Sequence, residues 1–412
     1  MRNKKVISVC VIMAFIFTTF TLSCKKELEN SFVVKISADE LLLSLSSNSK
    51  DKNFREALKG ANEMQRDSSD DYITIFGRAF NEVDPNASLA KIFNTVYLRN
   101  DISFNSTNEE VIEVLQKQLD DAINHTIDIL RIRIDRYGIH HQNIQRIGNS
   151  ENILIELPEV ENINSLRHLI EAQAKLEFWE TYELSEIYSC IEKVDANLLD
   201  DEDFESAIAL KVDEMDDESK GFVKRYPLFA FLYPAVDASG HLMQGPVVGY
   251  TAIQDTSTIN YILNIKKVKE ILPKDLRFYW TYKPIPQDKN KLQLLAIKVT
   301  TRKGDAPLDG SVITDVTQKR DQNENTTIQL SMNSEGAKIW QRLTRNNIGR
   351  SIAIILDDYV YSFPRVMSEI NEGQISITGQ FTEDEAQSLV NILRTGPLPL
   401  SVKIVEENLK RE

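Results

Sequence analysis

Between Thr107 and Gly138 the chain carries its clearest instruction. Ile112, Leu115, Leu119, Ile123, Ile127, Leu130, Ile134 and Tyr137 recur at spacings of three and four, which lays one apolar stripe along one face of a long helix. Thr107-Asn108-Glu109-Glu110 reads as a capping box, in which the Thr107 hydroxyl accepts from the Glu110 N–H while the Glu110 carboxylate reaches back. Gly138 supplies the left-handed residue that stops the helix. We read the stripe as core and not as a dock for a partner helix, so a second layer must cover it.

That layer is predicted from the flanking segments. Phe32 to Ile36 alternates as a short strand, and Ala38 to Ser46 reads as a helix. Asn143 to Ile147 and Asn152 to Leu157 read as two strands across Gly148-Asn149, the second stopped by Pro158. Ile163 to Ala172 reads as a helix and Lys175 to Tyr182 as a strand. The order is β-(insertion)-α-β-β-α-β, a ferredoxin-like arrangement, with a largely helical insertion at about residues 40–105.

Residues 183–300 are less regular. They hold an acidic stretch from Asp200 to Asp217, read as a solvated face or loop, and a strand over Leu292 to Thr300. The last third is sharper. Thr327 to Met332 alternates as a strand, and Asn333 caps a helix that ends near Gly349. Ser351 to Leu356 and Val360 to Phe363 form a hairpin across Asp357-Asp358, and Gln374 to Thr378 is a further strand. Thr382-Glu383-Asp384-Glu385 is a second capping box, its helix stopped by Gly396-Pro397, and Leu400 to Val405 is a last strand. The fold class expected is α+β, a ferredoxin-like βαββαβ unit followed by a second α+β unit.

The N-terminus fixes the compartment. Arg2, Lys4 and Lys5 precede an apolar run from Val6 to Leu22 that ends at Leu22-Ser23-Cys24, the layout of a secretory signal. Cys24 stands where a bacterial lipoprotein carries its lipid. Residues 1–23 are then the signal and 24–31 a tether. The alternative is a retained anchor, although the run falls short of the roughly 20 residues a spanning helix needs. Both place the residues after 26 outside the cytoplasmic membrane. Cys10 leaves with the signal and Cys190 is left without an intramolecular partner, so no disulfide is expected. No later apolar run exceeds strand length.

Composition narrows the partners. The net charge is −14, and more negative once Arg2, Lys4 and Lys5 are removed. Nucleic acid and anionic lipid surfaces need clustered Lys and Arg, so neither is expected as a partner. No phosphate loop, dinucleotide fingerprint or nucleophile elbow occurs. The five histidines (125, 140, 141, 168 and 241) lack ligand spacing. Asp357-Asp358 is explained as a turn pair whose side chains bond their own backbone. We expect no catalytic residue, no metal and no cofactor.

An ordered series of segments resembles the large periplasmic (P1) domain of SecD, above all of the fused SecDF translocase subunits. It includes IDILRIRIDRYG from Ile127, NIQR from Asn143, ILIELP from Ile153 and AKLEFWE from Ala174. PVVGY from Pro246, APLDG from Ala306, MNSEGAK from Met332 and NIGRSIAIILDD from Asn347 come next. VYSFP from Val360, ISITG from Ile375 and LPLSVKIVEE from Leu398 complete it. The resemblance runs from about residue 31 to 407. It implies a base subdomain over 31–182, a head over 183–407 and a tail over 408–412. It also implies a non-enzymatic protein that grips unfolded exported polypeptide, works with the Sec translocon and touches the membrane through lipid on Cys24. Two departures stand out. The chain ends at Glu412, where the family would enter its second membrane helix, so the proton-carrying helices are not in this sequence. The family's Asp-x-x-Gly-Gly element is absent before the first strand, where Glu27-Leu-Glu-Asn-Ser-Phe32 stands. The expectation is a lipid-anchored, stand-alone envelope protein assisting translocation, with a module repurposed for an envelope complex unrelated to Sec as the alternative.

Overall fold

The computed structural model describes residues 30–409, apart from 69, 159, 161, 200, 201, 214, 322 and 323. Cys10, Cys24, the expected signal and nearly all of the tether lie outside the described residues, as do residues 410–412 of the tail. The chain forms two compact units. One is drawn from both ends of the chain, up to Ala172 and again from Leu398, and the other runs from Gln173 to Pro397. Both mix helices with mostly antiparallel strands, and the fold is α+β.

In the first unit the strand Asn30–Ile36 alternates as its sequence dictates, with Phe32, Val34 and Ile36 buried. Asn152–Leu157 pairs with it on one side and Asn143–Arg146 lies beyond. The long helix Asn108–Arg136 begins in the capping box read from the sequence, with both of its hydrogen bonds present. Its stripe is buried at Leu115, Leu119, Ile123, Ile127, Leu130 and Ile134. The stripe also contains Arg133, which is wholly buried. Its guanidinium donates to the carbonyls of Leu169 and Ala172. Those carbonyls end the helix Ile163–Glu171 and have no partner within it, so the cation both satisfies them and opposes the negative end of the helix dipole.

The insertion between the first strand and the long helix packs around its own rings. Phe54 meets Phe76 and Phe93 edge to face at 5.9 and 5.7 Å. Glu151, buried at the turn before Asn152–Leu157, accepts from the Tyr72 N–H (2.6 Å) and the Gln65 amide (3.1 Å) and so ties insertion to sheet.

The fourth strand of this sheet is not the one expected from chain order. The sheet runs Val402–Asn408, Asn30–Ile36, Asn152–Leu157, Asn143–Arg146, so the C-terminal strand returns to complete the first unit. The segment expected over 175–182 forms the strand Leu176–Thr181, but within the second unit. The expected boundary near 182 therefore falls at 172, and the second unit stops at 397 instead of 407. Burial gives the reason. Leu176, Glu177, Phe178, Trp179 and Thr181 are all buried, which suits a strand covered on both faces. Val402–Asn408 is largely exposed, which suits the edge of a one-sided sheet.

In the second unit, Leu176–Thr181 joins a sheet of eight strands. Five of them close on themselves. Lys291–Lys298 pairs with Leu276–Thr281, that with Tyr359–Ser362, that with Ile352–Leu356, that with Leu176–Thr181, and the last again with Lys291–Lys298. Trp179, Leu295, Ile297, Ala353, Ile355 and Val360 fill the ring. The alternate residues of the same two central strands, Leu176, Phe178, Ile352 and Ile354, face a second core. Ile328, Leu330, Trp340 and Leu389 share that core, beneath the sheet Ile313–Arg320, Thr326–Met332, Gln374–Phe381 and the helices Ser334–Asn346 and Glu383–Thr395. A third core joins Leu184, Ile187 and Ile191 to Leu292 and Leu294. The acidic stretch 200–217 is therefore not simply a loop: Glu202–Asp213 is helical, and Phe204 and Ile208 are buried in that third core.

Asp357 and Asp358 do form the hairpin turn, both with left-handed backbone (φ 50° and 64°). The Asp357 side chain also reaches beyond the turn. It accepts from the N–H groups of Ala174 (3.2 Å) and Lys175 (2.8 Å), clamping the start of the doubly buried strand.

Substitution tests both of these buried polar contacts. Arg133→Ala leaves buried carbonyls unpaired and lowers the stability of the first unit by roughly 3 kcal/mol, read as lost hydrogen-exchange protection over 108–136 and 163–172. Unchanged protection there contradicts the assignment. Asp357→Ala destabilises the second unit by about 2 kcal/mol, and Asp357→Asn by less, because an amide oxygen still accepts. All three tryptophans (179, 280 and 340) lie in that unit, so tryptophan fluorescence during urea unfolding reads it alone.

Candidate functional site

Among the described residues no group of His, Cys, Asp and Glu is arranged to hold a metal ion. His140 and His241 each lie 3.6 Å from an exposed aspartate, Asp135 and Asp237. Cys190 is half-buried in the helix Leu184–Asn197. The cleft of about 620 Å³ where the APLDG and AKLE segments meet is held by structural contacts. There Glu177 is paired with Lys175 (2.9 Å) and accepts from the Trp179 indole (3.2 Å), while Arg277 lies over the Trp179 ring at 5.4 Å.

Strand edges, an obvious means of holding an extended chain, are largely blunted. The eight-stranded sheet ends in the two-residue strands Tyr233–Pro234 and Leu308–Asp309. On Ile313–Arg320 the Val316 carbonyl accepts from Arg394 (2.7 Å), and Arg320 pairs with Glu383. On Val402–Asn408 the Ile404 N–H donates to Glu171 (2.8 Å) and Glu407 takes both arms of Arg167. Occupied edge groups resist the addition of a further strand.

An aromatic ladder is a different matter. Tyr359 and Tyr361 sit two apart on the strand Tyr359–Ser362 and so share a face. Tyr282 comes directly after the neighbouring strand Leu276–Thr281 and is registered by its N–H, which donates to the Val360 carbonyl at 2.9 Å. Its ring stacks on Tyr361 with centroids 4.4 Å apart and planes 11° apart, and meets Tyr359 edge-on at 6.3 Å. Phe381, closing the strand Gln374–Phe381, continues the stack from Tyr361 at 6.5 Å. Tyr282 is 37% and Tyr359 47% exposed. The four rings thus form a rigid apolar strip with an open end.

The far end of the strip is pinned by charge. Lys283 lies over the Phe381 ring at 5.0 Å, reaches the Gln380 carbonyl and pairs with Glu385 at 2.6 Å. Burial pushes the Glu385 carboxyl up, but the Lys283 bond and the N–H of Thr382 more than reverse it, so Glu385 is held below the ordinary range. Burial, with Tyr282, Asp357 and Glu385 close by, drives the Tyr361 hydroxyl far above its ordinary value, so it stays protonated.

Sequence reasoning named VYSFP and the capping box at Thr382 but did not see the ladder. Its rings come from two strands and from the residue after a third, and only the i, i+2 pair Tyr359 and Tyr361 left a visible trace. Cys24, the one site residue singled out from the sequence, lies outside the described residues.

Comparison with known proteins shows what this chain is similar to. Residues 287–400 match the model of the SecDF P1 head subdomain, and residues 123–183 that of the N-terminal part of the P1 domain of protein translocase subunit SecDF. A protein translocase subunit SecD of Rhodothermus marinus is 33% identical over 387 residues, covering 91% of this chain and 60% of that relative. One from Leptotrichia buccalis is 42% identical over 103 residues, 25% of this chain and 26% of the relative. The chain spans less than two thirds of either. A solved structure of SecDF in a super-membrane-facing form is 21% identical with a TM-score of 0.38, covering 70% of this chain and 28% of that one. Another, of a membrane component SecDF that enhances protein export, is 22% identical with a TM-score of 0.37, covering 69% of this chain and 92% of that one. Among the described residues no helix is long and apolar enough to cross a membrane. The chain is thus similar to SecD, and two of its segments to parts of the P1 domain.

Proposed function

We propose that this protein is a non-enzymatic, lipid-anchored member of the SecD family that holds exported polypeptide at the outer face of the cytoplasmic membrane and works beside the Sec translocon. Lipid on Cys24 is its attachment to the membrane. Residues 30–172 with the returning C-terminal strand serve as the base, and residues 173–397 as the head that meets the exported chain.

The observation that carries this reading is the aromatic ladder. Tyr359, Tyr361 and Phe381 fall within the segment that matches the P1 head model, and Tyr282 stands just before it. Rigid rings with one exposed end capture aliphatic and aromatic side chains of any sequence at low entropic cost, which is what a protein handling many unfolded chains requires. Occupied edges favour transient contact over strand addition, so a held chain can leave again.

The test is binding of a permanently unfolded model chain to the full-length protein, read by fluorescence anisotropy. The double variant Tyr282→Ala/Tyr359→Ala is expected to weaken binding about 30-fold, the loss of roughly 2 kcal/mol typical of an aromatic hot spot. Unchanged affinity in a variant that still unfolds cooperatively contradicts the proposal. Affinity purification after cross-linking in cells tests the partner: recovery of Sec channel subunits together with many exported chains supports it. Recovery of one defined envelope complex without Sec subunits favours a repurposed module.

A further inference from the structure

The chain is acidic, with a net charge of −14, yet the segment from Asn264 to Arg277 carries Lys266, Lys267, Lys269, Lys274 and Arg277 against only Glu270 and Asp275. Pro273 stands just after the short helix Lys266–Ile271, which it cannot continue. The Leu276 N–H donates to the Pro273 carbonyl at 3.1 Å, closing a turn that leaves Lys274 exposed. The strand Leu276–Thr281 then begins and carries Arg277.

Lys269, Lys274 and Arg277 line one cleft of about 610 Å³ in the second unit. All three are exposed, whereas Leu263, Leu272 and Phe278 of the same lining pack on the third core. The cleft therefore has an apolar floor and a cationic rim. Lys211, Lys283, Arg345 and Arg350 of this unit are each paired with a carboxylate. Among the described residues Lys269, Lys274 and Arg277 are paired with none. Two carboxylates lie close by. Asp275 accepts from the Tyr182 hydroxyl at 2.8 Å, and Asp358, which shares the lining, acts on Lys175 and Tyr279. Arg277 also lines the neighbouring cleft with Lys303, and a Cβ on Gly304 would approach the guanidinium within 2.9 Å, so Lys303 extends the positive face.

We infer that this cleft is a docking surface for acidic polypeptide: it takes segments in which apolar residues stand beside Asp or Glu, in preference to uncharged segments of equal apolarity. The apolar side chain enters between Leu263 and Leu272, and the flanking carboxylates meet Lys269, Lys274 and Arg277. Unpaired cations clustered on an otherwise acidic chain draw such a segment in. A concave site with an apolar floor fits a side chain, where an anionic bilayer would touch only the rim. This rests on the reading that the second unit meets polypeptide, but uses a surface other than the ladder.

Three short labelled peptides test it, identical in their apolar residues and carrying Glu, Gln or Lys between them. Binding is read by fluorescence anisotropy on the full-length protein in neutral detergent micelles. The Glu peptide is expected to bind about tenfold tighter than the Gln peptide at low salt, as two or three exposed ion pairs allow, and the Lys peptide more weakly than either. The ratio should shrink at high salt and vanish in Lys269→Glu/Lys274→Glu, whose two positions are exposed. It should grow in Asp358→Asn, since asparagine tolerates the left-handed backbone there. Tyr282→Ala/Tyr359→Ala should leave the ratio unchanged. Equal affinity for the Glu and Gln peptides overturns the inference and leaves the second unit a polypeptide binder. A preference that survives the double Glu variant also overturns it, by placing the selectivity elsewhere. Binding of no peptide removes the underlying reading as well. Loss of the protein's attachment to phosphatidylglycerol vesicles in the double Glu variant, with no peptide preference, would assign the cations to lipid instead.

Discussion

Two strands of the second unit, Leu176–Thr181 and Ile352–Leu356, are buried on both faces and paired to each other. The rest of the unit depends on that pair. One set of side chains, Trp179 with Ala353 and Ile355, fills the closed ring of strands. The alternate set, Phe178 with Ile352 and Ile354, meets the helices Ser334–Asn346 and Glu383–Thr395. A strand in this position has no solvent face on which to place a mismatch, so its register is strongly specified. The Asp357 carboxylate sets that register from one end by taking the N–H groups of Ala174 and Lys175.

The same hairpin connects the packed core to the ladder. Asp357 and Asp358 turn the chain and Tyr359 comes at once after them, so the clamp on the core and the exposed end of the ladder share one tight turn. Tyr361, two residues on, is half-buried and carries the stack from Tyr282 to Phe381. The ladder is therefore no loose aromatic patch: each ring is held by a strand of the packed sheets or, for Tyr282, by a backbone bond to Val360. Preorganised surface of this kind loses little entropy when a ligand settles on it. Blunted edges and an open ladder are complementary: on the proposed reading they direct contact to side chains and away from backbone, whose pairing would be slow to undo.

Much of this was legible in the sequence where the signal is local. The 3.6-residue period of the long helix, both threonine capping boxes, the Asp357-Asp358 hairpin and the mixed α+β class depend on residues a few positions apart. What was not legible depends on distant pairing. Leu176–Thr181 reads as the next strand of the first sheet because sequential strands are usually neighbours. Only its nearly unbroken run of buried residues, against the polar Lys403, Glu406 and Glu407 of the strand that replaces it, marks the exchange. Nothing local marks Arg133 for burial, because the carbonyls it serves lie 36 and 39 positions further on. The ladder needs three strands in register before any of it exists. The family resemblance was carried by the order of many weak motifs, several of which (APLDG, AKLE, MNSEGAK) lie where segments pack closely. Gly336 is one case: a Cβ there would approach Val312 within 2.6 Å.

Contact between exported chains and the ladder is open to direct capture in living cells. A photo-reactive residue is placed at position 359 and, in a separate variant, at Tyr261, which is equally open in the same unit (50% exposed). Adducts with many newly exported proteins are expected from position 359 and few from position 261. Equal labelling from both positions, or none from 359, would mean that exported chains are not held at the ladder.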